Sequence, residues 1–167
     1  MKRTTFLKKR GLTECFPNGV RYKKLTAFNL YRTLREFAAE KFPEEMTVSA
    51  EEMPRGVLDV CIPTLASFIK LVICSLAGEP HLHVSVKTDL HSFTAIFSAK
   101  GIKNEIYDQA DKLSALAKQA GFRLKWDEDA IILYAQTENE NAYYLHAVSS
   151  SEFRQTLHAV FFTENYV

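Results

Sequence analysis

Residues 62–77, IPTLASFIKLVICSLA, constrain this chain more than any other stretch. Leu65, Phe68, Ile69, Val72, Ile73 and Leu76 recur at three- and four-residue spacing, which predicts a helix with one broad apolar face. Pro63 falls in the first turn, where its missing N–H is not needed, and Gly78 and Pro80 stop the helix. Lys70 and Ser67 lie off the stripe. A face this wide has to be covered, so we expect the helix to lie across a sheet and carry most of the core.

The flanking segments supply that sheet. MTVSA (46–50) and VLDVC (57–61) are short and β-branched around a turn-like 51–56, and predict two strands. HLHVSVK (81–87) alternates Leu82, Val84 and Val86 with His83, Ser85 and Lys87, as a strand with one buried face does. After a turn at Thr88-Asp89, FTAIFS (93–98) reads as its antiparallel neighbour. A second amphipathic helix is predicted over 104–120, with Ile106, Ala110, Leu113, Leu116 and Ala117 on one face and Gly121 just past its end. Residues 122–126 and 130–136 form a hairpin around Asp127-Glu128-Asp129.

Toward the termini, residues 23–28 read as a short strand. Asn29 then caps a helix to about Lys41, with Leu30, Leu34, Phe37 and Ala38 inward and Phe42-Pro43 ending it. Residues 143–148 add an edge strand, and Ser150 or Ser151 caps a last helix over 152–162. Helices and strands do not alternate strictly. The expected class is therefore α+β, a two-layer α/β sandwich whose mixed, mostly antiparallel sheet carries helices on one face. We expect a basic arm at 1–20 with a turn at Pro17-Asn18-Gly19, one domain over 21–136, and an extension at 137–167 packed on it.

The net charge is +1, so the whole molecule has no electrostatic bias toward nucleic acid or membrane. The bias is local: Lys2, Arg3, Lys8, Lys9 and Arg10 crowd the arm, while Asp127, Glu128 and Asp129 crowd a later turn. Cys15, Cys61 and Cys74 are odd in number and lack short paired spacing, which argues against a disulfide framework or a zinc site; Cys61 and Cys74 are expected to be buried thiols. No apolar run approaches the ~20 residues that span a bilayer, no signal-peptide core follows the basic start, and a cytoplasmic address is expected.

Several side chains invite a chemical reading. His81 and His83 share a strand face and His91 lies across the hairpin, but no Cys or carboxylate falls at ligand spacing, so exposed polar residues are the simpler account. His146 and His158 have no evident partners. Asp127-Glu128-Asp129 suits a solvated turn, and Tyr143-Tyr144 with Phe161-Phe162 suit core. The basic arm, with Phe6 interleaved, could touch nucleic acid, yet no helix-turn-helix or Arg/aromatic sheet pattern supports that, so nucleic-acid binding is not expected.

Taken in order, LTAFNL (25–30) before a helix, the paired strands leading into IPTLASFIKLVICSLA, HLHVSVK with FTAIFSAKGI, and LSALAKQAGFRLKWDEDAIILYAQ resemble the ATP-binding domain of histidine kinases, in the GHKL ATPase superfamily. The resemblance spans roughly 22–136 and rests on element order. It implies that Ser75 stands where the family's helix presents its Mg²⁺-binding asparagine, with Leu71 one turn earlier. It also implies that Phe97, Ser98 and Gly101 occupy the first glycine box, without the aspartate that accepts the adenine amino group. The glycine-rich lid is missing, since the helix near Asn104 follows Gly101 at once. The expectation is a degenerate, non-catalytic module of two-component signal transduction that binds a protein partner, with no cofactor and no metal. Under the alternative, a divergent but active ATPase binding ATP and Mg²⁺, Asp89 or Asp108 would supply the adenine carboxylate. A further alternative is a nucleic-acid-associated protein led by the basic arm.

Overall fold

The computed structural model describes residues 22–76, 81–139 and 150–162. The arm with its Pro17-Asn18-Gly19 turn, Cys15, Gly78, Pro80, His146 and the edge strand expected at 143–148 lie outside the described residues. β1 (Lys23–Thr26) runs directly into α1 (Ala27–Lys41). The cap is Thr26 rather than Asn29: its extended backbone lets Oγ1 accept the Asn29 N–H at 3.0 Å, so the helix begins inside the stretch expected to be strand. Leu30, Leu34, Phe37 and Ala38 are buried as expected.

The main sheet has five strands: β2 (Met46–Ala50), β4 (Leu82–Thr88), β5 (Ser92–Ser98), β7 (Ala130–Gln136) and β6 (Arg123–Trp126), side by side in that order. β2 and β4 are parallel and every other neighbour is antiparallel. β3 (Val57–Val60) pairs with β1 in a separate antiparallel ribbon. Strand periodicity sends Val84, Val86, Phe93, Phe97, Ile131 and Leu133 to one face, where all are buried. α2 (Ile62–Leu76) meets them with Leu65, Phe68, Ile69, Val72 and Leu76, giving the expected two-layer sandwich. Burying each such side chain contributes about 1.5–3 kcal/mol, so this layer dominates the stability of the fold.

The helix expected over 104–120 is broken. α3 (Ile102–Glu105) and a 3-10 turn (Tyr107–Gln109) precede α4 (Ala110–Ala120). The change of direction lets α3 pack on β7 while α4 packs on α2 and β6, and Ile102 and Ile106 are both fully buried. α4 ends as a Schellman motif: Gly121, at φ 106, donates to Lys118 and Phe122 donates to Ala117. That end is fixed to the β3–α2 junction, where the Cys61 N–H donates to the Ala120 carbonyl at 3.1 Å.

α5 (Ser150–Phe162) lies against α1 and α2. Phe153, Leu157 and Val160 recur at helical spacing and are buried. Ser150 and Ser151 form its first turn rather than preceding it. Arg154 reaches Glu36 at 3.5 Å and Glu40 at 3.1 Å, one turn apart on α1, and the Lys70 ammonium donates to the Val160 carbonyl at 3.0 Å. Among the described residues, no helix is long and apolar enough to cross a membrane.

Candidate functional site

β5 and the turn after it bring Phe97, Ser98 and Gly101 to one corner of the sheet. Alternation turns Phe97 inward, where its ring meets Phe68 of α2 edge-on, with centroids 5.8 Å apart. Ser98 faces the other side of the sheet, and its hydroxyl donates to the His83 carbonyl at 3.3 Å. Gly101 adopts φ 72, and its N–H donates to the Asp129 carboxylate at 2.9 Å, while the Ala99 N–H donates to the Asp129 carbonyl. The chain then enters α3 at once, with Ile102 fully buried. Phe97 and Gly101 therefore flank one short turn. Leu71 and Ser75 sit half-buried on α2, with Ser75 roughly 10 Å along the axis from the turn that holds Phe68.

Neither carboxylate named for the adenine site is placed at that corner. Asp89 closes the β4–β5 turn, accepting the Ser92 hydroxyl at 2.9 Å while its own N–H donates to the Ser92 carbonyl. The length of β5, about 20 Å, separates it from Gly101. Asp108 is exposed on the 3-10 turn. The carboxylate that does reach the corner is Asp129, which composition had assigned to a solvated hairpin tip. It is exposed, but it also ties two segments 28 residues apart in sequence. A run of three acids gives no sign of which one will find a backbone N–H that far away. Together with Trp126, Asp127, Glu128, Gly101 and Asn104 it lines an open, polar recess. Three clustered carboxylates give this recess a negative potential.

The histidines of the β4–β5 hairpin region divide between the two ends of the sheet. Across the parallel β2–β4 pair runs a hydrogen-bonded chain. The Glu44 carbonyl meets His81 Nδ1 at 2.8 Å, and His81 Nε2 meets the Thr47 hydroxyl at 3.2 Å. The same hydroxyl meets His83 Nδ1 at 2.8 Å, and His83 Nε2 meets the Ser49 hydroxyl at 3.1 Å. A carbonyl can only accept, so with both rings neutral the proton order follows: His81 donates to Glu44, Thr47 to His81, His83 to Thr47, and Ser49 to His83. His91 lies at the opposite end, in the β4–β5 turn, where its carbonyl accepts the Thr137 N–H. Among the described residues no group of three His, Cys, Asp or Glu side chains is placed to hold a metal ion.

Other expectations need amendment. Cys61 is buried, with its sulfur 3.1 Å from the Thr64 hydroxyl, but Cys74 is exposed, because it falls on the solvent side of the α2 stripe. His158 has partners: its ring meets Phe37 edge-on and its Nε2 lies 3.9 Å from Glu40. Phe161 packs against Phe37 and Phe42, whereas Phe162 remains 56% exposed. Lys24 bridges Asp59 at 2.7 Å and Glu138 at 3.0 Å. Burial alone would lower its pKa, but the hydrogen bonds and charges of those carboxylates outweigh it and hold the ammonium above the ordinary lysine value.

No family profile matches the sequence, and no curated protein matches it. Among solved structures the chain is similar to the cytoplasmic segment of histidine kinase QseC, with a TM-score of 0.41 and 8% identity over 70% of this chain and 77% of that one.

Proposed function

We propose that this chain is a non-catalytic signalling or regulatory module, a degenerate relative of histidine-kinase ATP-binding domains, that acts by binding another protein. In this reading residues 21–136 form the working unit, the basic arm precedes it and 137–167 extend it. One observation carries the proposal. At the corner where the resemblance puts purine contacts, Phe97 and Ile102 are 1% and 0% exposed, and the Asp129 carboxylate accepts the Gly101 N–H while its backbone carbonyl accepts the Ala99 N–H. An apolar ring packed on Phe68 cannot accept the hydrogen bond of an adenine amino group, and a polar ligand forced against it would lose its hydration without compensation. Leu71 offers no oxygen to a cation, and Ser75 offers one hydroxyl. Isothermal titration of the full chain with ATP or ADP and Mg²⁺ should give no heat of binding. A micromolar dissociation constant would overturn the reading.

A further inference from the structure

The five-stranded sheet has helices on one side, and no described element lies against the other. Register defines what that bare side presents. One row across β4, β5, β7 and β6 is Ser85, Ile96, Ile132 and Lys125; the next is Lys87, Thr94, Tyr134 and Arg123. Ile96 and Ile132 are half-buried, and Tyr134 stands 37% exposed beside them. Lys87, Arg123 and Lys125 are exposed, and among the described residues none of them forms an ion pair. None of the outward-facing residues of the five strands is Asp or Glu, although the chain has 20 acidic residues. The carboxylates stand instead in the turns at the strand ends, with Glu44 and Asp127 at one end and Glu52 and Asp89 at the other, all exposed.

We infer that this bare face docks the acidic surface of a protein partner. The inference rests on the reading that the chain works by binding a protein, and it names the chemistry of that partner. A small apolar and aromatic centre within a charged margin is the build of a protein–protein interface, and Tyr and Arg are its commonest anchors. Lys87 and Arg123, about 14 Å apart at the usual strand spacing, bracket Tyr134 with one sign of charge, so the matching surface carries carboxylates around an apolar knob. A nucleic acid fits less well. Its phosphates repeat every few ångströms along a chain longer than this face, and would run onto the acidic turns at either end.

A glutamate-rich peptide with a central pair of leucines, titrated into the full chain and followed residue by residue in amide NMR spectra, tests this. Shifts should map to β4, β5, β6 and β7, fade with added salt, and lose about tenfold in affinity when Lys87→Glu, Arg123→Glu and Lys125→Glu are combined. The same charge change on exposed α4, Lys112→Glu with Lys118→Glu, should leave the affinity unchanged. No binding at low ionic strength, shifts elsewhere, equal weakening by the α4 pair, or tighter binding of a poly-dT oligonucleotide would each overturn the assignment. An ATP titration of the triple variant keeps the two readings apart: nucleotide binding there would sink the degenerate-ATPase reading without touching this face.

Discussion

Gly121 and Gly101 are both positive-φ glycines, but they differ in the room left for a side chain. Both hold a left-handed backbone, at φ 106 and φ 72. A Cβ at Gly101 would meet nothing within 4 Å, whereas one at Gly121 would stand 2.5 Å from the Asp59 carbonyl oxygen. Gly101→Ala should therefore destabilise by about 1 kcal/mol, the cost of an L-residue in that conformation. Gly121→Ala carries at least that cost, since φ 106 lies further outside the left-handed well than φ 72, plus overlap with a backbone atom that has no flexible end to swing away, and overpacking of this kind adds about 1–3 kcal/mol. The gain from a stiffer unfolded chain is common to both and cancels in the difference. Urea unfolding followed by circular dichroism should show the Gly121 variant less stable than the Gly101 variant by about 1–3 kcal/mol at unchanged m value. The β3–α4 junction should loosen with it, because the hydrogen bond from Cys61 to Ala120 lies two residues from Asp59. If the two variants fall within about 0.5 kcal/mol of each other, the close approach at Asp59 does not constrain the fold and the reasoning fails.

Two further outcomes follow from the core and from the α5 contact. Phe97→Ala should cost about 3–5 kcal/mol, and a double-mutant cycle with Phe68→Ala should show coupling of about 0.5–1.5 kcal/mol; strict additivity would show that the two rings do not support each other. The hydrogen bond from Arg154 holds the Glu40 carboxyl below the usual carboxylate range. A depressed folded pKa contributes stability above the unfolded value and loses it as pH falls through the folded one, so α5 amides should exchange faster in acid than the intrinsic rate change explains. Arg154→Met should remove that pH dependence; if the dependence persists, Glu40 is not its source.

The fold was legible wherever a periodic pattern acted alone. β2 and β7 match their expected spans, and α2 starts at Ile62 with its apolar stripe inward, because alternation and the 3.6-residue repeat are local properties. The boundaries that moved were set by competition. Thr26 outbid Asn29 for the cap because an extended residue at the end of β1 already faced the first turn. The 104–120 pattern split because Ile102, outside the expected helix, also had to be buried. Of the candidate site, the inward turn of Phe97 follows from alternation, but the engagement of Asp129 with Gly101 needs a contact across 28 residues that no local pattern encodes. The bare face was half visible in HLHVSVK. Its freedom from carboxylates emerges only when register lines up five separated segments.

The Thr47 hydroxyl also bears on how the sheet assembles. Parallel neighbours have no tight hairpin to set their phase, and β2 and β4 are joined through β3 and all of α2. Sliding β2 by one residue would turn Thr47 and Ser49 into the core and strand Met46 and Val48 in water, besides parting Thr47 from both imidazoles. The polar chain on the outside and the apolar alternation on the inside thus reject the same misalignment, one by lost directionality and the other by lost burial. A pairing that a long crossover leaves open is keyed twice.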